Sequence, residues 1–306
     1  MAEVFRSGCG NKLGRGLTRK AAQLVYGSAS GRRIWSDAHA MSAGTGLVGS
    51  VDTSIASCDD DIVEFTRRAI IHALGDVWSV GGVPTDILAS VRLRDYDRES
   101  AIGQFGRSIR ELADHVGVRI GKLHTSLSSE PTEIATTVIG RVERPVECFT
   151  PTVGMAVFLT SFIQVGTIDE PFDWIGKCEA GSSVARMHGM ARCKDVSGDG
   201  LIGCLSEMAE MYDLHLCIHP ELIPFRGNIE LGDDCELDRN MSDYLDMTYW
   251  THAPNARERA LFFKPQFAGP FVIICQEFTK LHNSIKVTKI GTVGDDACGV
   301  TVCRSR

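Results

Sequence analysis

The sequence predicts an α/β (α+β) protein made of two halves. Two long segments, residues 60–80 and 98–116, carry apolar residues at helical spacing, and short apolar runs typical of strands lie around them. Two prolines, Pro145 and Pro151, then interrupt the pattern before a second alternation of strands and helices begins. Helices that alternate with strands in this way indicate layers of helix packed on sheet.

The first half is predicted to contain strands and two helices. Residues 59–61 (DDD) favour the start of the first helix, because negative charge is stabilising at a helix N-terminus. Residues 81–84 (GGVP) end it. The predicted elements are a strand pair at 45–51 and 55–58 around Asp52, a helix at 60–80, a strand at 87–93, a helix at 98–116, and strands at 118–123 and 134–142.

The second half is predicted to open with a strand at 155–160. A helix at 201–212 follows the turn 195–200, then come a strand at 214–218 and closing strands at 271–276 and 285–291, with residues 225–256 polar and irregular. Residues 1–34 are Gly-rich and basic and are predicted to be loosely structured. We therefore expect a flexible Gly-rich N-terminal segment (1–34), an N-terminal domain (35–147) and a C-terminal domain (148–306).

Composition limits the class of protein. The chain has 306 residues, 43% hydrophobic and 23% charged, as in ordinary globular proteins. A net charge of -7 argues against a nucleic-acid partner. No apolar run approaches the roughly 20 residues that span a bilayer, and the first residues have no apolar signal core. Eleven cysteines occur without a CxxC pair, so we expect a cytoplasmic protein with reduced thiols and no membrane partner.

Four acids, Asp37, Asp52, Asp76 and Asp195, lie among small or glycine residues. Acids in such settings can reach an ion, and several of them converging would form a hard oxygen site for Mg²⁺, which usually arrives with phosphates. Residues 117–123 have the wrong glycine spacing for a phosphate loop, and no GxGxxG follows a strand. A nucleotide site would therefore be built through metal-bridging acids.

Other chemistry-bearing residues allow two interpretations each. Cys9 and Lys12 lie on a flexible Gly-rich loop, where the ammonium would favour the Cys9 thiolate, but a tail with an incidental cysteine is equally compatible. The alternation of His215, Cys217 and His219 could be a soft-metal site, but without an evident fourth ligand a half-exposed strand is favoured. His124 could touch a nucleotide or be a buried structural histidine.

Separated segments of the chain match motifs of one family in order. They are residues 8–12 (GCGNK, for GCGCK), 36–38 (for DDAA), 50–52 with 58–60 (for TTDFF…VDDP), 72–82 (for NALSDVYAMGG), 123–126 with 130–131 (for GGHSI…EP), 195–203 (for DVTGFGLLG) and 238–240 (for TERN). Over most of its length the chain thus resembles selenide, water dikinase (selenophosphate synthetase), in the aminoimidazole ribonucleotide synthetase-like superfamily.

The resemblance implies a fold of two α/β halves, a homodimer through the N-terminal halves, and ATP sites along the dimer contact. It also implies that ATP, selenide and water give selenophosphate, AMP and phosphate, with Mg²⁺ as cofactor and K⁺ as a candidate monovalent ion. The implied site residues are Cys9 and Lys12 as catalytic; Lys12, Asp37, Asp52, Asp76, His124, Thr125 and Ser126 as ATP-binding; and Asp37, Asp52, Asp76 and Asp195 as metal ligands.

The chain departs from the family pattern in ways that bear on the acceptor. Asn11 replaces the second Cys, His72 replaces an Asn, and residues 122–123 (KL) replace Gly-Gly. Residues 264–270 (KPQFAGP) replace DPQTSGG. Two alternatives therefore stay open: a paralogue that phosphorylates another nucleophile, such as sulfide or an amide-type oxygen, and a non-catalytic regulator that retains the fold.

Overall fold

The computed structural model describes residues 15–26, 36–41, 46–56, 61–94, 98–143, 150–165, 171–187, 191–228, 242–244, 247–276 and 287–304. The helices are α1 (Arg15–Tyr26), α2 (Ile62–Ser79), α3 (Arg98–Val116), α4 (Trp174–Arg186), α5 (Gly200–Tyr212) and α6 (Ala256–Phe263). The strands are β1 (His39–Ala40), β2 (Leu47–Ile55), β3 (Val83–Arg94), β4 (Arg119–Ser128), β5 (Glu133–Arg141), β6 (Ala156–Leu159), β7 (Ile163–Gln164), β8 (Ala191–Asp195), β9 (His215–Ile218), β10 (Phe225–Arg226), β11 (Thr248–Trp250), β12 (Phe271–Cys275), β13 (Thr288–Gly294) and β14 (Gly299–Val302).

The strands before residue 142 form one five-stranded sheet in the order β1-β2-β5-β3-β4. Its pairs are antiparallel except for β3 with β4, which is parallel. The edge strand β4 is exposed along almost its whole length. Helix α2 begins where the Asp61 carboxylate accepts hydrogen bonds from the backbone N–H groups of Val63 and Glu64. Most residues in its second half are buried, so it is a central helix of the fold.

The strands after residue 150 form a seven-stranded mixed sheet in the order β11-β14-β9-β13-β6-β12-β8, and β7 pairs with β10 in a separate parallel pair. Helix α5 follows β8 directly and ends at Asp213, whose backbone is left-handed (φ 54°). Helix α6 begins with a capping box between Asn255 and Glu258. Strand β8 lies at one edge of this sheet and contacts helix α2 of the first half.

One hydrophobic core is shared by elements of both sheets. It joins α2 and β3 residues such as Trp78 and Ile87 to β12 residues such as Phe271 and Ile273. A Cβ on Gly181 of α4 would overlap the Trp78 ring, so only glycine allows α2 and α4 to approach this closely. A second core lies within the residues from 155 onward.

The predicted elements are mostly present, with three differences. The strand pair predicted around Asp52 is the single strand β2, because its alternating burial continues through the aspartate. Residues 15–26, predicted as part of a loose segment, form α1. The sequence interpretation also missed helices α4 and α6 and strands β1, β7, β8, β10, β11 and β14. Two of these strands, β10 and β11, lie within residues 225–256, which were wrongly predicted to be irregular throughout. Among the described residues, the helices are too short or too polar to cross a membrane.

Candidate active site: an acid cluster between the two sheets

Three different elements bring the predicted acids together. Asp52 lies on β2, on the face that also carries the buried Ser50 and Val48. Asp76 lies on α2, and Asp195 is the last residue of β8. Asp37 lies just before β1, and its Oδ2 accepts the Asp195 backbone N–H at 3.4 Å. The two sheets, helix α2 and the segment before β1 thus contribute to one cluster, which we call the acid cluster (Asp37, Asp52, Asp76 and Asp195).

His72 lies inside the acid cluster. It is one turn before Asp76 on α2, so both side chains share a helix face. Its Nε2 is 3.1 Å from an Asp52 oxygen, and its Nδ1 is 3.8 Å from an Asp195 oxygen. One potential ligand atom from each of His72, Asp76 and Asp195 lies within 4.8 Å of the others. The sequence showed His72 only as a departure from the family motif, although its spacing from Asp76 could have placed it here.

Two serines orient the acids. Ser50 Oγ donates a hydrogen bond to Asp76 Oδ2. Ser79 Oγ donates to Asp37 Oδ2 at 2.9 Å. Both serines are buried, so these carboxylates have fixed partners rather than exchanging solvent. The two serine hydroxyls, which are uncharged, therefore hold the carboxylates of Asp76 and Asp37 in position.

Lys194 supplies a positive charge at the edge of the cluster. Its ammonium contacts Asp37 and lies 3.2 Å from Glu207 Oε2. Burial alone would lower the pKa of Lys194, but the negative charges of Asp37 and Glu207 outweigh it and hold the pKa well above its ordinary value. Lys194 is therefore a charged member of the site that the sequence interpretation did not single out.

Crowding of acids affects their protonation. Burial raises the pKa of Asp76 well above its ordinary value, and the charge of nearby Asp195 raises it further. Burial also raises the pKa of Asp37, although Lys194 opposes that effect. Buried carboxyl groups that repel one another are ionised at lower cost when a cation sits between them. The arrangement can therefore hold a divalent cation through oxygen atoms.

Other predicted site residues lie elsewhere. Cys9 and Lys12 are outside the described residues. His124, Thr125 and Ser126 lie on the exposed edge strand β4. Strand β4 is separated from β2 by β3 and β5, about 14 Å at the usual strand spacing. Within one chain, the structure does not bring these three residues to the acid cluster.

The face of β9 with the alternating polar residues carries local contacts. His215 Nε2 lies 2.8 Å from Thr301 Oγ1 on β14. Cys217 Sγ lies 3.8 Å from His215 Nδ1, and His219 Nδ1 lies 3.1 Å from the Cys303 carbonyl oxygen. Each of these three side chains therefore has a contact on β9, on β14 or at Cys303, directly after β14.

Residues 264–270, whose sequence departs from the family motif, lie beside the acid cluster. Gln266 is buried, and its side chain accepts from the Gln164 N–H at 2.9 Å and donates to the Gln164 carbonyl at 3.0 Å. Ala268 has a left-handed backbone (φ 55°), which costs energy for a residue with a Cβ. A Cβ on Gly269 would overlap the Val196 carbonyl. The segment is thus held rigidly against the residues that follow Asp195.

Comparisons with known proteins find similarity to one family of proteins. Residues 35–142 match the family model "AIR synthase related protein, N-terminal domain". The chain is 22% identical over 263 residues to a selenide, water dikinase of Sulfurimonas denitrificans, covering 78% of this chain and 75% of the relative. Nineteen curated proteins match the chain with significant similarity.

Solved structures show the same fold. The thiamine monophosphate kinase of Aquifex aeolicus superposes with a TM-score of 0.68 and 19% identity, covering 95% of this chain and 96% of that one. Hydrogenase maturation protein HypE in complex with ATP superposes with a TM-score of 0.63 and 15% identity, covering 87% and 84%. The predicted fold class is therefore confirmed.

Proposed function

We propose that this protein is an ATP-dependent phosphotransferase, because residues 35–142 match the AIR synthase related family model and the chain shares its fold with a thiamine monophosphate kinase. The observation that supports the proposal is the convergence of Asp52, Asp76 and Asp195 from two sheets and one helix. The relatives include kinase-type enzymes, a selenide, water dikinase and a thiamine monophosphate kinase. A scaffold without catalysis would gain nothing from burying mutually repelling acids, whose burial is costly.

The donor set suits Mg²⁺. Carboxylate oxygens are the ligands that Mg²⁺ prefers, and it commonly binds one or two carboxylates together with substrate phosphates. Asp52, Asp76 and Asp195 would hold the ion, with His72 orienting Asp52 through its 3.1 Å contact. Bound there, Mg²⁺ would neutralise the charge of the ATP phosphates. Lys194 would keep Asp37 ionised and fixed in position.

Phosphorus NMR of ATP and Mg²⁺ with the full-length protein tests the proposal. We expect slow ATP consumption without an acceptor and faster consumption with one. Asp76→Asn should abolish consumption because the amide cannot offer a charged ligand, while Asp114→Asn, on the exposed face of α3, should leave it unchanged. If Asp76→Asn consumes ATP at the wild-type rate, the acid cluster is not the nucleotide site.

Selenide is the first candidate acceptor. It is supported by the similarity to selenide, water dikinases and by the motif at residues 8–12. In this proposal Cys9 delivers the chalcogen and Lys12 stabilises the transferred phosphoryl group as a positive charge. Cys9→Ser should then eliminate the phosphorus resonance of selenophosphate and leave Mg-ATP affinity unchanged. Full selenophosphate formation by Cys9→Ser would refute the role of Cys9.

A different acceptor is the second candidate, because residues 264–270 depart from the selenide-specific pattern at the site itself. Ala268 lines one small cavity together with Asp195, and Phe267 lines the adjoining larger cavity, where the family motif has Ser and Thr. The phosphorus NMR experiment separates the candidates, since selenide either accelerates ATP consumption and gives a phosphorus–selenium product or does neither.

A homodimer would complete the site. Strand β4 is an exposed edge with the large apolar side chains Leu123 and Leu127 accessible, and an unprotected edge of this kind is a ready pairing surface. In a dimer through this strand, the His124, Thr125 and Ser126 of one chain would approach the acid cluster of the partner. This arrangement would reconcile their predicted ATP contacts with their distance from the acids in a single chain.

A further inference from the structure

The imidazole of His72 is fixed in one orientation inside the acid cluster. The side chain is 4% exposed, and its Nε2 lies 3.1 Å from Asp52 Oδ2, within hydrogen-bonding distance. An ionised carboxylate can only accept a hydrogen bond, so this contact favours the ring proton on Nε2. In a neutral imidazole the lone pair then lies on the other nitrogen, Nδ1.

The second nitrogen of His72 faces the other acids at the spacing of metal ligands. Nδ1 lies 3.8 Å from Asp195 Oδ2, which is too long for a hydrogen bond. Two atoms that each bind one ion at about 2.1 Å lie about 3.0–3.7 Å apart when the angle between them is about 90–120°. One potential ligand atom of Asp76 also lies within 4.8 Å of those of His72 and Asp195. A small shift would therefore let all three residues bind one ion.

The gap beside these atoms has room for a single ion. His72 and Asp195 line a cavity of about 10 Å³, which is close to the smallest volume that holds one water molecule. Lys177 also lines this cavity, and its Nζ lies 5.8 Å from the centroid of the Phe162 ring, where cation–π attraction holds the ammonium. The space between the imidazole and the acids thus suits an ion better than an organic ligand.

An imidazole among carboxylates changes which ions the site prefers. Mg²⁺ binds through oxygen atoms, whereas an imidazole nitrogen suits first-row transition-metal ions. A histidine that binds a metal through one nitrogen commonly donates the N–H of its other nitrogen to a carboxylate, which fixes the ring and makes the ligand more basic. The contact of His72 Nε2 with Asp52 has this form.

We propose that His72 Nδ1 is a direct metal ligand and that, together with Asp76 and Asp195, it makes the acid cluster selective for a first-row transition-metal ion such as Mn²⁺ over Mg²⁺. This assignment rests on the proposed function, in which the same acids hold the cation that accompanies ATP. The family motif has an asparagine at the position of His72. An amide offers an oxygen, which suits Mg²⁺, so His72→Asn should remove the preference.

Pulsed electron paramagnetic resonance of Mn²⁺ with the full-length protein tests the ligand, because a directly bound nitrogen produces a hyperfine coupling. Mn²⁺ alone, without nucleotide, is the probe. We expect nitrogen coupling in the wild type and in the control His115→Asn, on the exposed face of α3, and none in His72→Asn. In competition titrations Mn²⁺ should bind the wild type at least about tenfold more tightly than Mg²⁺, and this ratio should fall about tenfold in His72→Asn.

The outcomes separate the role of His72 from the proposed function. Mn²⁺ bound to the wild type without nitrogen coupling would refute the ligand, whether or not the variant folds. Coupling that persists in His72→Asn with an unchanged unfolding temperature would refute it as well, because the nitrogen then belongs to another residue. In both cases ATP consumption with Mg²⁺ leaves the phosphotransferase proposal standing. Nitrogen coupling through His72 in a protein that does not consume ATP would uphold the ligand and overturn the phosphotransferase proposal.

Discussion

Lys194 and Asp37 form an ion pair with side chains only 10% and 7% exposed, and this pair ties β8 to the segment before β1. Removing one partner of a buried pair leaves the other charge uncompensated. Here the uncompensated charge would stand among three further acids. Lys194 is therefore expected to stabilise the fold and to restrain repulsion within the acid cluster at the same time.

Lys194→Met should lower the free energy of unfolding by about 3 kcal/mol, the usual cost of breaking a buried pair. Mg²⁺ should restore part of that loss, because a cation in the cluster replaces the missing positive charge. Urea unfolding with and without MgCl₂ measures both effects. Lys122→Met, on exposed β4, is the matched control. Equal stability of Lys194→Met and wild type would show that the pair contributes nothing.

The stabilising effect of Mg²⁺ should increase with pH. The pKa of Asp37 and that of Asp76 are raised above 3.8 by burial. Their contribution to stability is therefore fully present below 3.8 and is lost as pH rises through the folded-state pKa. A cation that binds the ionised forms offsets this loss. Thermal unfolding at about pH 5 and about pH 8 should show a larger Mg²⁺-induced shift at the higher pH, and the reverse order would contradict the assignment.

Leu127→Glu should convert the proposed dimer into a monomer. Leu127 is 51% exposed on β4, and a charge there would be buried without a partner if two such strands met. Light scattering at micromolar concentration measures the change in mass. Val153→Glu, at an equally accessible apolar site in the second half, is the control and should leave the mass unchanged. A wild-type monomer would rule out pairing through β4.

The sequence predicted those elements whose signal is local. Helices α2 and α3 were placed to within about two residues because amphipathic spacing and an acidic N-cap are local features. Helix α4 was missed because its sequence, WIGKCEAGSSVAR, mixes small and polar residues, and only the close packing of Gly181 on Trp78 requires it. Packing of that kind cannot be read from periodicity.

The candidate site was predicted in part for the same reason. The four acids stood out through their small neighbours, and the structure brings them together. Lys194 and Glu207 were not predicted as members, because their contact with Asp37 joins residues far apart in sequence. The cavity lined by Lys177 and Phe267 depends on α4 and on the segment after α6, which no sequence pattern brought together.

The shared core between α2 and β12 determines how this protein can be dissected. Trp78 is 2% exposed and packs against Gly181 of α4, and Phe271 and Ile273 complete the same core from the other sheet. A fragment cut between residues 143 and 150 would leave these apolar surfaces in water on both pieces. Neither half is then an independent building block, so fusion, truncation and domain-exchange designs must carry the two sheets together.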